Sequence, residues 1–140
     1  MTKSSCYCIT LRNASRRLTS LYDEALAPLG INVTQFSQLR NIGRMQPVSL
    51  TDLGKRMELD RSTVGRNTKI LERMGLVTAA SAEDHRESAL VLTGDGEVLL
   101  GQALPIWEEV QARISRRLGP GGLEEIVSAL DMVTEDNLAN

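Results

Sequence analysis

The chain is poor in aromatic side chains: one Trp, one Phe and two Tyr among 140 residues. Its core must therefore be built from Leu, Ile, Val, Ala and Met. Cysteine is scarce as well. Cys6 and Cys8 are too few and too close together for the disulfide framework of a small secreted protein. They are also a poor start for a zinc site, because the single histidine, His85, lies far along the chain. No metal or other cofactor is expected. No run of about 18 apolar residues occurs and the start has no signal-peptide layout, so the expectation is a cytoplasmic protein with no membrane partner. Nor is there an excess of either charge: 16 basic against 18 acidic residues leave a net charge of −2. What remains is an ordinary globular composition, 41% hydrophobic and 24% charged, with a length that suits one domain.

The distribution of charge is more informative than its sum. Lys55, Arg56, Arg61, Arg66, Lys69 and Arg73 fall in one short stretch, whereas the chain from Gly121 onward holds Glu124, Glu125, Asp131, Glu135 and Asp136 and no base. An acidic protein can still present a locally basic surface. Charge alone leaves two readings open, solvated helix faces or a surface for nucleic acid.

Apolar spacing divides the chain into helices and two short strands. Leu11, Ala14, Leu18 and Leu21 recur at helical steps, predicting a first helix from Cys6 to about Leu26, ended by Pro28 and Gly30. A second helix is expected after Thr34, as N-cap, to Gly43 or Met45, with Phe36, Leu39 and Ile42 facing inward. Pro47 breaks it. Ser49, with Asp52 three residues on, opens a short helix bearing Leu50, Leu53 and Met57. After the tight connection Glu58-Leu59-Asp60, Asp60 caps a helix running to about Met74, with Val64, Thr68 and Leu71 on one side and Gly75 at its end. Leu76 to Ala79 and Ala89 to Leu92 read as strands of a hairpin around the polar segment from Ser81 to Glu87. Thr93 caps a long helix to about Leu118 that contains Pro105. Gly119-Pro120-Gly121-Gly122 breaks the chain before a last helix striped by Leu123, Ile126, Val127, Leu130 and Val133.

A short helix, a tight turn, a polar and basic helix and a hairpin follow one another without spare residues. This is the layout of a winged helix-turn-helix, whose second helix enters the major groove of DNA. The expected fold is mainly α with a small β-hairpin wing, and with helices for dimerisation at both ends of the chain. Arg61 and Arg66 suit guanine or phosphate, while Ser62, Thr63 and Asn67 suit base edges or phosphate oxygens. Lys69 and Arg73, further along, suit the backbone. Gly65 in a helix interior is explained either by close approach to DNA or by tolerance at an exposed position. Ser49 completes the expected contacts on the two helices.

Further stretches carry a family resemblance: Asp60-Arg61-Ser62-Thr63-Val64, Leu71-Glu72-Arg73-Met74-Gly75-Leu76-Val77, Asp84-His85-Arg86 and Leu92-Thr93-Gly94-Asp95-Gly96. In order and spacing they resemble the MarR family of regulators, over nearly the whole chain. Ala14-Ser15-Arg16 and Leu29-Gly30-Ile31 add to the likeness. The resemblance implies one winged helix-turn-helix domain over 1–140, with a DNA-binding lobe at 33–92 and dimerisation helices at 1–30 and 94–140. It implies a homodimer on a pseudo-palindromic operator in double-stranded DNA, usually with repression as the outcome. It also implies that Arg86 reaches a minor groove, with Asp84 holding it or the wing turn and His85 beside them.

The resemblance offers two kinds of releasing signal. In the organic-hydroperoxide sensors of this family a reactive cysteine stands near the start of the first helix, and Cys8 matches it, with Tyr22 matching a tyrosine that hydrogen-bonds the thiolate. Arg12 and Val33 stand where those sensors have further tyrosines, which argues against peroxide sensing here. The alternative is a small aromatic or phenolic ligand in a pocket lined by Arg12, Ser15, Arg16 and Tyr22; the same residues could equally form surface pairs. Cys6 and Cys8, two apart on a helix, would point to different sides, which argues against a disulfide between them. Nothing supplies acid-base partners or a phosphate loop, so no enzyme is expected. A protein-binding winged-helix adaptor is the competing class.

Overall fold

The structure is a computed structural model that describes residues 6–80 and 89–139. The chain forms two compact units, Met1–Trp107 and Glu108–Asn140. In the first, α1 (Tyr7–Leu26) leads through a 3-10 turn (Ala27–Leu29) into α2 (Val33–Met45). Strand β1 (Val48–Ser49), α3 (Leu50–Met57), α4 (Arg61–Arg73), β2 (Val77–Ala79) and β3 (Ala89–Leu92) follow, then α5 (Gly94–Leu118), within which the unit boundary falls. The second unit holds the end of α5 and α6 (Gly122–Ala139).

Local chemistry explains the helix starts. Helix α2 is capped by Asn32, not by Thr34 as the sequence predicted. The Asn32 side chain accepts from the Gln35 amide at 2.9 Å, and Gln35 Oε1 accepts from the Asn32 amide at 3.0 Å. Two amides that a helix start would leave unmatched are thus satisfied reciprocally. Asp23 Oδ1 of α1 takes a third, the Val33 amide, at 2.8 Å. Ser49 and Asp60 cap α3 and α4 as expected, accepting from the amides of Asp52 at 3.1 Å and Thr63 at 2.7 Å. Helix α1 begins at Tyr7; Cys6 precedes it with extended backbone (φ −64°, ψ 127°). The sequence argument that set both cysteines on one helix therefore does not hold for Cys6.

The sheet has three antiparallel strands in the order β1-β3-β2, where the sequence led to a hairpin of two. Val48 pairs with Leu90 and Ser49 with Ala89, while Val77, Thr78 and Ala79 pair with Leu92, Val91 and Leu90. Two residues are too short for a period of two to show, so β1 left no pattern. Gln46, at the end of α2, reinforces the join: its Oε1 accepts from the Leu92 amide at 2.9 Å.

One hydrophobic core ties these elements together. Phe36, Leu39 and Ile42 of α2, Leu53 of α3, Val64 and Leu71 of α4, and Leu76, Val77, Leu90 and Leu92 around the sheet are all buried. Leu26 of α1 and Ala103 of α5 belong to the same cluster. Trp107 packs at its edge, with its ring stacked on Phe36 (centroids 5.5 Å apart) and the Arg40 guanidinium 4.3 Å from its centre. An aromatic pair and a cation over a ring face add to the burial of apolar area.

Candidate nucleic-acid interface

Helix α4 is fixed at both ends and along its inner side. At its start Asp60 is the cap, and its carboxyl is held below the usual carboxylate range, first by the hydrogen bonds from Thr63 and then by Ser62 and the nearby Arg66. At its end the chain turns through Gly75, whose φ of +76° a residue with a β-carbon adopts only under strain. The Gly75 carbonyl accepts from Thr93 Oγ1 at 2.6 Å, and the same hydroxyl caps α5 by accepting from the Gly96 amide at 3.0 Å. Along the inner side Val64, Thr68 and Leu71 are buried, as the spacing predicted. Between the apolar pair lies a polar contact. Gln38 of α2, fully buried, donates from Nε2 to Thr68 Oγ1 at 2.7 Å and to the Val64 carbonyl at 3.3 Å. Its Oε1 is buried and has no hydrogen-bond partner among the described residues.

The opposite side of α4 faces solvent. Arg61, Ser62, Arg66, Lys69 and Arg73 are exposed, and Thr63, Gly65 and Asn67 are half-buried along the margin. Lys55 and Arg56, at the end of α3, are exposed as well, so the basic stretch of the sequence is a basic surface in the fold. Arg66 lies back along its own helix, donating to Thr63 Oγ1 at 3.4 Å, and Arg73 donates to the Lys69 carbonyl at 3.4 Å. Both bonds are long and exposed, so they compete weakly with a phosphate or a base edge. A β-carbon at Gly65 would meet nothing within 4 Å, so the protein itself does not require glycine there. Ser49 is half-buried, with its hydroxyl committed to the α3 cap. Asp84, His85 and Arg86 lie outside the described residues.

The residues expected at an effector site are spread along α1. Arg12, Ser15 and Arg16 are exposed, and Tyr22 is half-buried, with burial raising its phenol pKa. Of these, only Arg16 lines the groove of about 400 Å³ on this helix, together with Asn13, Arg17 and Ser20. Cys8 is an exposed free thiol whose Sγ accepts from Arg12 Nη2 at 3.9 Å. Gln38 is the residue that sequence reasoning missed. It precedes the buried Ile42 by four residues and so shares its face of α2, a signal hidden by reading apolar residues alone.

A family model, that of the MarR family, matches residues 29–87. The chain is 33% identical to the Mycobacterium tuberculosis transcriptional regulator MosR, solved in complex with DNA, over 94% of this chain and 98% of that one, with a TM-score of 0.79. It shares its fold with MepR of Staphylococcus aureus, from a DNA complex, at 20% identity over 95% and 99% of the two chains and a TM-score of 0.80. Among curated proteins it is 29% identical over 87 residues to YwoH of Bacillus subtilis (strain 168), an uncharacterized HTH-type transcriptional regulator. That match spans 62% of this chain and 64% of the relative's length. The solvent-facing, polar and basic α4, the strands beside it and these likenesses agree: the chain belongs to the MarR family of winged-helix transcriptional regulators.

Proposed function

We propose that the protein is a sequence-specific repressor that binds a pseudo-palindromic operator as a homodimer and is released by a chemical signal. In this reading the segment 33–92 is the DNA-reading lobe, and helices in 1–30 and 94–140 join the two copies. The observation that carries it is the exposed face of α4, where Arg61, Ser62, Arg66 and Lys69 stand on a helix secured at both ends. Arg66 and Asn67 read base edges, Arg61, Lys69 and Arg73 hold phosphates, and Arg86 reaches the minor groove from the wing. MosR, solved with DNA, supports the reading at 33% identity. Exposed apolar side chains support the homodimer. Ile9, Leu11 and Leu18 of α1 and Leu123, Ile126, Val127 and Leu130 of α6 are each 41–59% exposed in the single chain, more than solitary surface residues require. A second copy covering them would also supply the second reader of a two-fold operator.

The test is selection of bound sequences from random duplex DNA. The expected result is two inverted half-sites about one helical turn apart, bound with an affinity that falls steeply with salt. Absence of any enriched sequence, or binding indifferent to salt, overturns the proposal.

For the signal, the exposure of Cys8 favours a thiol switch over a phenolic ligand. The thiol is exposed and free, so an oxidant in solution can reach it.

A further inference from the structure

We infer that Gln38 is a positioning residue for DNA reading, acting through Thr68 and Val64 to set the roll of α4 on the body of the protein. The inference rests on the DNA-reading function proposed above. The two acceptors that Gln38 Nε2 engages, Thr68 Oγ1 and the Val64 carbonyl, belong to residues four apart, one turn of the helix. The Val64 carbonyl points along the helix toward Thr68, so one amide nitrogen engages both acceptors at a single level of the inner side of α4. The apolar contacts of Val64 and Leu71 are not directional, and a small roll or slide would preserve most of their burial. The two hydrogen bonds are directional, and a roll or slide of α4 that the apolar contacts would tolerate lengthens or misaligns them.

The amide orientation is itself determined. Both N–H groups of Gln38 have acceptors, and only Oε1 is unmatched among the described residues. With the amide turned over, Oε1 would stand against the Val64 carbonyl, two acceptors with no proton between them, and only the Thr68 hydroxyl could donate to it. Even the better orientation leaves a buried oxygen without a partner, which is unfavourable for folding. An apolar side chain of the same volume would avoid that penalty and still fill the space. The contribution of Gln38 is thus register rather than stability. What it registers is the opposite face, since Arg61, Ser62, Arg66 and Lys69 move with any roll of α4.

The test compares full-length wild type, the double variant Gln38→Met/Thr68→Val, the single variant Thr68→Val, and Thr68→Ser, which keeps the hydroxyl. Each is measured for Tm and for affinity to two duplexes, the sequence selected by the wild type and a scrambled version of it. The double variant is expected to melt no lower than wild type, yet to lose about tenfold or more in the ratio of selected to scrambled affinity, the size of one misplaced base contact. Thr68→Ser is expected to keep the wild-type ratio. A double variant that discriminates within about twofold of wild type overturns the inference. So does loss of fold in both valine variants, which would make the pair a requirement of folding, or a Thr68→Ser protein that fails to discriminate. A wild type that does not distinguish the duplexes sinks the DNA-reading proposal instead.

Discussion

The α-carbon of Gly96 packs against the carbonyl of Leu76: a β-carbon at Gly96 would run into that oxygen. Thr93 closes the same junction, with its amide donating to the Leu76 carbonyl at 3.0 Å and its hydroxyl bridging Gly75 and Gly96. The end of α4 and the start of α5 are thus one joint. Replacing Gly96 by Ala forces backbone apart where no flexible side chain can yield. Gly96→Ala is expected to lower stability by about 1–3 kcal/mol. Urea unfolding checks this as a lower midpoint with an unchanged slope.

Asp60 makes stability depend on pH. Its folded-state pKa lies below its ordinary value, chiefly because its carboxylate accepts from Thr63. The carboxylate therefore stabilises the fold fully above the unfolded-state pKa and loses that effect as pH falls through the lowered folded value. Asp60→Asn, which keeps a capping oxygen but does not titrate, is expected to flatten the fall in stability on the acid side, from about pH 5 downward. Denaturation midpoints measured at several pH values, wild type against variant, would expose parallel curves if Asp60 has no such role.

Arg66 stands in the middle of the exposed face of α4, and its bond to Thr63 Oγ1 is long. Arg66→Ala is expected to weaken operator binding by about 1–3 kcal/mol and to relax the preference at one base pair per half-site. Arg61→Ala, in its proposed phosphate-holding role, is expected to weaken all duplexes alike and to reduce the salt dependence by about one ion. Titrations at several salt concentrations separate the two behaviours; identical profiles would mean the roles are misassigned.

The stack of Arg40, Trp107 and Phe36 offers a direct optical probe, since Trp107 is the only tryptophan. Arg40→Ala is expected to lower stability by about 0.5–2 kcal/mol. It should also shift the emission of Trp107, because a cation leaves the ring face. An unchanged spectrum would show that the cation does not sit on the ring in solution.

If Cys8 is the switch, organic hydroperoxide releases wild type from its operator and leaves Cys8→Ser bound. Equal release of wild type and Cys8→Ser removes Cys8 from the mechanism.

Much of this was legible in the sequence for definite physical reasons. Val64, Thr68 and Leu71 announce the buried side of α4 by spacing, and the charged residues between them must then face water. Ser49 and Asp60 announce their helices because a short acceptor before a helical run has one favourable use. Asn32 was passed over for Thr34, although only Asn32 has Gln35 three residues on, and the amide of Val33 is claimed by Asp23 from another helix. Strand β1 is defined by its partner β3, not by its own two residues. Gln38 escaped because a polar residue on an apolar face is assigned to solvent until its acceptors, 26 and 30 positions away, are seen beside it.

Ser49 is both the final rung of β1 against Ala89 and the cap of α3. No slack segment separates the sheet from α3, so neither can tilt alone. In the proposed reading of DNA, a duplex would then meet a single stiff tool rather than independently hinged fingers. A poor fit at one groove then spoils the fit at the next, and paired operator mismatches under helix and wing fall short of, or exceed, the sum of their separate penalties.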